Sequence, residues 1–185
     1  MRNILTAGGL SWLIPESGMA HDLRLGSRVP ATGVNDKGEL LLQQEKFSYK
    51  NWNSAQLSGK VRVVQHIAGR SSAKEMNAAL IEAIKAAKLP HDRYQTTTIV
   101  NTDDAIPGTG MFVRSSVETN KQQYPWSQFV IDSKGNVQHA WQLQSGGSAI
   151  VVLDKQGKVR FVKDGSLTQD EVTNVMALLA SLLKE

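Results

Sequence analysis

Two different periods of hydrophobic and polar positions run along the 185-residue chain, and they predict the order of its strands and helices. β-Branched runs over residues 61–67 and 96–100 predict two buried strands. Between them, apolar side chains recur at helical spacing over residues 76–87, and Ser72 and Glu75 in front of them have the spacing of a capping box. The pattern therefore predicts strand, helix, strand, and a weaker helix over residues 107–124 follows.

The second half of the chain repeats a shorter pattern. Residues 129–143 and 151–162 each contain an apolar run, an Asp-x-x-Gly turn and a second apolar run, which predicts two hairpins. Thr168 and Glu171 form a second capping box in front of a C-terminal amphipathic helix. Nearer the N-terminus, Asp36-Lys37-Gly38 predicts a turn before a short strand over residues 39–42.

This order of elements predicts a single α/β domain over residues 21–185, since no linker or low-complexity tract interrupts it. The first crossovers should be parallel and right-handed, and the late hairpin antiparallel. The expected architecture is a thioredoxin-like mixed sheet with helices on both faces.

Residues 1–20 have the pattern of a secretory signal peptide. Arg2 precedes an apolar run over residues 4–14, and small residues at Gly18 and Ala20 suit cleavage after Ala20. The run is shorter than the roughly 20 apolar residues that a membrane helix needs. An N-terminal strand or helix of the core is the alternative. We expect export and no stable membrane insertion of the mature chain, which would begin at His21.

The amino-acid composition excludes several classes of chemistry and of binding site. The chain has no cysteine, which excludes disulfides, thiolate nucleophiles and every cysteine-based metal centre. Its 21 basic and 17 acidic residues give a net charge of +4, which can attract an acidic partner but does not indicate nucleic acid. The four histidines lack metal-ligand spacing, and no nucleotide-binding or nucleophile-elbow motif is present, so we expect no metal and no cofactor.

Several stretches are similar to known families. Residues 25–30 and 36–40 resemble the opening of peroxiredoxins and periplasmic thioredoxin-like proteins, and residues 57–64 resemble their strand that enters the active site. Residues 125–132, 137–141 and 150–159 resemble the peroxiredoxin tail. Across nearly the whole chain, residues 49–57, 66–70 and 89–108 resemble the YtfJ family of small exported Gram-negative proteins. That resemblance implies the fold and export to the periplasm of a Gram-negative bacterium, but no activity.

The chain departs from the thioredoxin-like pattern at the positions on which redox activity depends. Where that pattern has its cysteine, this chain has Gly69-Arg70-Ser71-Ser72-Ala73-Lys74, and where it has a proline or arginine before the late strand, this chain has Gly146-Gly147-Ser148. A serine hydroxyl does not ionise near neutral pH and forms neither a disulfide nor a sulfenate. Thiol–disulfide exchange and cysteine-dependent peroxidase activity are therefore excluded.

A different role for this edge of the sheet remains open. If the fold is thioredoxin-like, residues 69–74, 101–104 and 146–148 converge beyond the ends of the parallel strands, where ligands of α/β sheets bind. The candidate binding residues are Arg70, Ser71, Ser72, Lys74, Asp103, Asp104, Gly147 and Ser148. Plain helix capping and solvated surface charge are the alternative interpretation of the same residues.

Two functions follow from this. The first is a non-redox periplasmic thioredoxin-like protein that binds a partner protein or a small anionic ligand. The second is a non-redox enzyme that uses Ser71, Ser72 or the Asp103–Asp104 pair. An acid–base group within hydrogen-bond reach of a serine would separate them.

Overall fold

The structure, a computed structural model, describes residues 21–185, so the predicted signal peptide lies outside the described residues. These residues form a seven-stranded mixed sheet and five α-helices. The strands are β1 Gly33–Gln43, β2 Lys46–Asn53, β3 Val61–Ala68, β4 Tyr94–Asn101, β5 Gln128–Asp132, β6 Ser148–Leu153 and β7 Val159–Asp164. The helices are α1 Ser71–Met76, α2 Ala78–Ala87, α3 Gly110–Gln123, α4 Asn136–Trp141 and α5 Gln169–Leu182.

The strand order is β2-β1-β5-β4-β3-β6-β7, and β3, β4 and β5 are parallel. The crossovers β3–α1–α2–β4 and β4–α3–β5 step in the same direction along the sheet, so right-handed connections place α2 and α3 on the same face. The connection β5–α4–β6 steps back past β4 and β3 to an antiparallel strand, and Val137 and Trp141 of α4 pack in the core cluster of Val64 and Val151, on the face opposite to α2. The expected mixed sheet with helices on both faces is confirmed.

Each face of the sheet has its own core. On one face, Leu80 of α2 and Leu179 of α5 pack with Val63 and Val152, all of them fully buried. On the other face, Trp141 packs among residues of β3, β4 and β6. Burial of one such side chain stabilises the fold by about 1.5–3 kcal/mol.

The turn predicted at Asp36-Lys37-Gly38 is wrong, because these residues lie inside β1. The register of β1 against β2 shifts between Val34 and Glu39, which marks a bulge. At Gly38 φ is +89°, and a Cβ there would lie 2.1 Å from the Lys50 carbonyl oxygen. The glycine is therefore needed for a bulge within a long strand. The partner strand β2 was not predicted.

The first predicted hairpin is also wrong. Residues 137–143 were expected as a strand, but Asn136–Trp141 is helix α4. The Asp132 carboxylate accepts a hydrogen bond from Val137 N (2.8 Å) at its start, and Val137 and Trp141 share its buried face. The second hairpin, β6–β7, is confirmed, and Asp154 accepts hydrogen bonds from Gln156 N and Lys158 N, both at 3.0 Å.

The two capping boxes differ in outcome. At α5, the Thr168 side chain accepts from Glu171 N and the Glu171 carboxylate accepts from Thr168 N, so that box is confirmed. The Ser72–Glu75 box is wrong, because the helix begins at Ser71 and Arg70 at its N-cap makes no side-chain cap bond. The single helix expected there is interrupted at Asn77, which separates α1 from α2.

Candidate functional site

The structure brings the three loops of the predicted site together. Ala68 N donates a hydrogen bond to the Gly147 carbonyl and Gly69 N donates one to the Asn101 carbonyl, each with an N···O distance of 3.0 Å. Ser148 lies opposite Ile67 in the β3–β6 ladder. Residues 69–74, 101–104 and 146–148 thus form one cluster, here called the loop cluster.

Asp104 joins the three parts of the loop cluster. Its Oδ1 lies 2.8 Å from Arg70 Nη2, its carbonyl accepts from Arg70 Nε at 3.1 Å, and its Oδ2 accepts from Gly146 N. The Arg70 guanidinium therefore already has a carboxylate partner. An anionic ligand at Arg70 would have to compete with Asp104.

Only some of the predicted residues share a pocket: Ser71 and Lys74 line the groove described below together with Arg70, whereas Ser72, Asp103, Gly147 and Ser148 do not. Ser71, Ser72, Lys74 and Asp103 are exposed, and Asp103 and Asp104 differ in surroundings although they are adjacent. Ser148 is 2% exposed, and its hydroxyl accepts from Asn77 Nδ2 at 2.9 Å. This hydroxyl serves an interior hydrogen bond.

Asn77 is a structural residue that the sequence did not single out. Besides Ser148, its Nδ2 donates to the Gly165 carbonyl (3.1 Å), and its Oδ1 accepts from Leu167 N (2.9 Å). The break between α1 and α2 thus ties the loop cluster to the segment before α5. Gly147 approaches the same region, since a Cβ on it would lie 3.8 Å from Met76 Cε.

His66 lies on β3 just before the loop cluster and is 3% exposed. Its Nε2 is buried without a hydrogen-bond partner. Burial lowers the pKa of His66 from 6.5 to about 4, although the nearby Asp104 charge acts in the opposite direction. The imidazole is therefore neutral at neutral pH.

A groove of about 1000 Å³ opens between α2 and α3 on one face of the sheet, and we call it the central groove. Strands β3, β4 and β5 form its floor, α2 and α3 form its walls, and the loop cluster reaches one end through Arg70 and Ser71. Small-molecule sites in proteins have volumes of roughly 300–1000 Å³. The central groove is at the upper end of that range.

The floor of the central groove contains polar side chains on inner strands of the sheet, where apolar side chains are usual. β4 is an inner strand with parallel neighbours, and such strands are normally buried on both faces. Thr96 and Thr98 of β4 nevertheless remain partly accessible between the helices. Beside them, Gln65 of β3 is 5% exposed, and its Oε1 is buried without a hydrogen-bond partner.

The walls and rim combine apolar side chains with positive charge. Ile81 and Val113 line the two walls, and Phe112 and Ile106 are 75% and 53% exposed at the end near the loop cluster. The charged lining residues are Arg70, Lys74, Lys85, Lys88 and a single acid, Glu82. The rim is therefore net positive.

Aromatic side chains close the other end. His91 stacks on Trp126 with ring centroids 4.4 Å apart, and Tyr124 meets the same indole edge-on. Lys85 Nζ of α2 lies 4.3 Å from the centroid of the Tyr124 ring, so a cation–π contact crosses from one wall to the other.

Sequence reasoning missed the central groove. Phe112 is an apolar residue of the weaker helix predicted over residues 107–124, and the structure leaves its side chain 75% exposed. One available signal was the run Thr96-Thr97-Thr98 in a predicted buried strand, where apolar residues are the rule. The tryptophans also differ in burial: Trp52 and Trp141 are in the core, whereas Trp126 is 47% exposed at the groove.

The structure also bears on metals and membranes. Within residues 21–185, no three His, Asp or Glu side chains lie in an arrangement that could hold a metal ion. In the same range, no helix is long and apolar enough to cross a bilayer.

Comparison with known sequences places the chain among uncharacterised bacterial proteins. The family described as "Bacterial protein of unknown function (YtfJ_HI0045)" matches residues 23–182. The uncharacterised protein YtfJ of Escherichia coli K12 is 67% identical over 172 residues, which cover 93% of this chain and 94% of that protein. An uncharacterised protein of Haemophilus influenzae is 47% identical over the same shares of both chains.

Solved structures with this fold are thioredoxin-like. A thiol-disulfide isomerase from Corynebacterium glutamicum is 18% identical, with a TM-score of 0.53 and coverage of 78% of this chain and 94% of that one. The thioredoxin domain of a thiol-disulfide oxidoreductase from Bacteroides vulgatus also has a TM-score of 0.53 and 18% identity, over 85% and 98% of the two chains. At this identity the likeness shows the fold alone, and it confirms the thioredoxin-like prediction.

Proposed function

This chain belongs to the YtfJ_HI0045 family of bacterial proteins of unknown function, and we propose that it is an exported, non-redox binding protein whose ligand occupies the central groove. The thioredoxin-like fold supplies the scaffold, and the lack of cysteine removes the redox chemistry usual on that scaffold. The ligand is a partner protein or a small anionic ligand.

One observation carries the proposal, the uncovered part of β4. An accessible inner strand forfeits the burial of apolar surface that a covering helix would provide. The buried Oε1 of Gln65 beside it lacks a hydrogen bond, which costs about 1–3 kcal/mol. A bound ligand would cover the strand, and rotation of the Gln65 side chain, which lines the groove, would bring its Oε1 to a donor on the ligand.

The net positive rim supports an anionic ligand. The Arg70 and Lys85 charges have carboxylate partners, Asp104 at 2.8 Å and Glu82 at 3.6 Å. Within the described residues, this leaves Lys74 and Lys88 as the uncompensated lysines of the groove lining. Charges next to an apolar groove steer ligands of opposite sign toward it.

The enzyme alternative has less support. Asp104, its best candidate acid–base group, is engaged by Arg70 and by Gly146 N. Among residues 21–185, no hydrogen bond joins the hydroxyl of Ser71 or Ser72 to an acid or a histidine. A serine nucleophile requires such a base.

Export is part of the proposal and has its own test. The signal-like pattern of residues 1–20 supports cleavage after Ala20. Intact mass measurement of protein from the periplasmic fraction should find a chain that begins at His21. A product that begins at Met1 and stays in the cytoplasm would contradict it.

Two adjacent serines of α3 allow a matched test of the groove. Ser116 lines the central groove, whereas Ser115 lines a separate shallow pocket beyond it, and both are exposed. Titration with 1-anilinonaphthalene-8-sulfonate, an apolar anion, should show binding to the unchanged protein. Ser116→Trp should weaken this binding at least tenfold and Ser115→Trp less than twofold, with near-UV circular dichroism to verify native packing. Equal effects of the two substitutions would contradict the proposal.

A further inference from the structure

From the floor, walls and rim of the central groove together, we infer that its occupant is an extended segment of polypeptide with apolar side chains and a net negative charge. This inference rests on the proposed function and specifies the class of ligand.

The floor argues for a ligand that has hydrogen-bond donors along its length. Gln65 Oε1 lacks a donor, and the partly accessible Thr98 hydroxyl can donate or accept. The Thr96 hydroxyl, which is hydrogen-bonded to the Tyr94 hydroxyl at 2.7 Å, retains capacity for a further bond. A hydrocarbon chain would cover these groups without bonding to them, which is unfavourable for buried polar atoms. A peptide backbone presents N–H and C=O groups at every residue.

The length of the groove fits a short extended segment. Its floor follows β4 from Tyr94 to Val100, six residue steps of about 3.3 Å each, or about 20 Å. A hexapeptide in extended conformation spans about the same distance. Side chains of such a peptide would meet the apolar walls at Ile81 and Val113.

The ends supply the anchors that peptide interfaces commonly use. Phe112 and Ile106 stand largely exposed at one end, and Tyr124, Trp126 and His91 form the aromatic group at the other. Aromatic residues are enriched in the centres of protein interfaces. The uncompensated Lys74 and Lys88 add the preference for acidic residues.

The test compares matched probes by fluorescence anisotropy on the full mature chain. The main probe is a labelled hexapeptide with four apolar residues between two glutamates. The second probe replaces both glutamates with lysine, the third is N-methylated at its central amides, and dodecanoate serves as unlabelled competitor. We expect the acidic peptide to bind, and the lysine and N-methylated peptides to bind at least tenfold more weakly.

Protein variants locate the peptide. Gln65→Leu should weaken the acidic peptide about tenfold and leave the affinity for the N-methylated peptide within twofold. Lys74→Gln combined with Lys88→Gln should weaken the acidic peptide about tenfold, whereas Lys184→Gln, an exposed lysine outside the groove, should change affinity less than twofold. Gln65→Leu exchanges a polar for an apolar side chain of similar volume, and the lysine variants are at the surface, so at least one set should fold.

The outcomes separate this inference from the proposed function. Equal affinities for the acidic and lysine peptides would overturn the charge preference. Displacement of anilinonaphthalene sulfonate by dodecanoate but not by the peptide would show an amphiphile site, which overturns the inference and leaves the groove function intact. Failure of every probe, the sulfonate included, would overturn both.

Discussion

Asp104 connects the loop cluster through its two carboxylate oxygens and its own carbonyl. In a thioredoxin-like redox protein, this edge of the sheet carries the reactive cysteine. In this chain, an ion pair between Arg70 and Asp104 lies at that edge. The pair is partly accessible to solvent, with Arg70 at 36% and Asp104 at 13% side-chain exposure, so its contribution to stability is moderate.

Replacement of Asp104 tests this connection. Asp104→Ala removes the ion pair and the acceptor for Gly146 N, and we expect the free energy of unfolding to fall by about 1–2 kcal/mol. Asp103→Ala is the matched control, since that side chain is exposed, and it should cost less than about 0.5 kcal/mol. Urea denaturation measures both. Similar losses in the two variants would show that Asp104 has no special role.

His66 predicts a pH dependence of stability. Its pKa is about 4 in the folded protein and about 6.5 in the unfolded chain, so between these values the unfolded chain binds more protons. The free energy of unfolding should therefore fall as pH decreases from about 6.5 to 4, by up to about 3 kcal/mol from this residue.

Urea denaturation at several pH values checks this. His66→Leu should have a shallower decline over that range, whereas His139→Leu, at an exposed position, should keep the decline of the unchanged protein. An unchanged decline in the His66→Leu protein would mean that another group controls it.

At the scale of elements, the two capping boxes have the same spacing and only one forms. At Thr168 the backbone N–H groups of the first turn lack other partners, and the box satisfies two of them. At Ser72 the helix has already begun one residue earlier. The spacing of the residues alone cannot predict which box forms, because the first residue of α1 depends on how β3 leads into that helix.

This difference predicts contrasting effects. Thr168→Ala should lower the free energy of unfolding by about 1 kcal/mol, the usual value of an N-cap. Ser72→Ala should change it by less than about 0.5 kcal/mol, because alanine also has the higher helix propensity. Thermal or urea denaturation of both variants decides the matter, and an equal loss for Ser72→Ala would restore the capping interpretation there.

The strands and helices with strong periodicity could be predicted from sequence, whereas elements defined by distant contacts could not. β3, β4, α3, α5 and the β6–β7 hairpin were expected, because β-branched runs and helical spacing are local signals. The sequence predicts a strand in place of helix α4 because residues 137–143 follow an apolar run and an Asp-x-x-Gly turn, the pattern of a hairpin. The Asp132 cap and burial against β3 and β6, both tertiary effects, decide for the helix.

At the scale of the whole molecule, the central groove results from the spacing of α2 and α3. Both helices lie on one face because their crossovers have the same hand and direction. The distance between α2 and α3 depends on side chains throughout the sheet and the helix layer. A local sequence pattern therefore does not predict that distance. The sequence could therefore predict which loops meet, but not that a groove would open between two helices.

The measurement that tests the account most directly is a heteronuclear NMR titration of residues 21–185 with the acidic hexapeptide. We predict that the largest amide shift changes fall on the floor and wall residues Gln65, Thr98, Phe112 and Ser116, with little change around Trp141 on the opposite face. Changes confined to that opposite face, or none anywhere at saturating peptide and at saturating anilinonaphthalene sulfonate, would contradict a ligand site between α2 and α3.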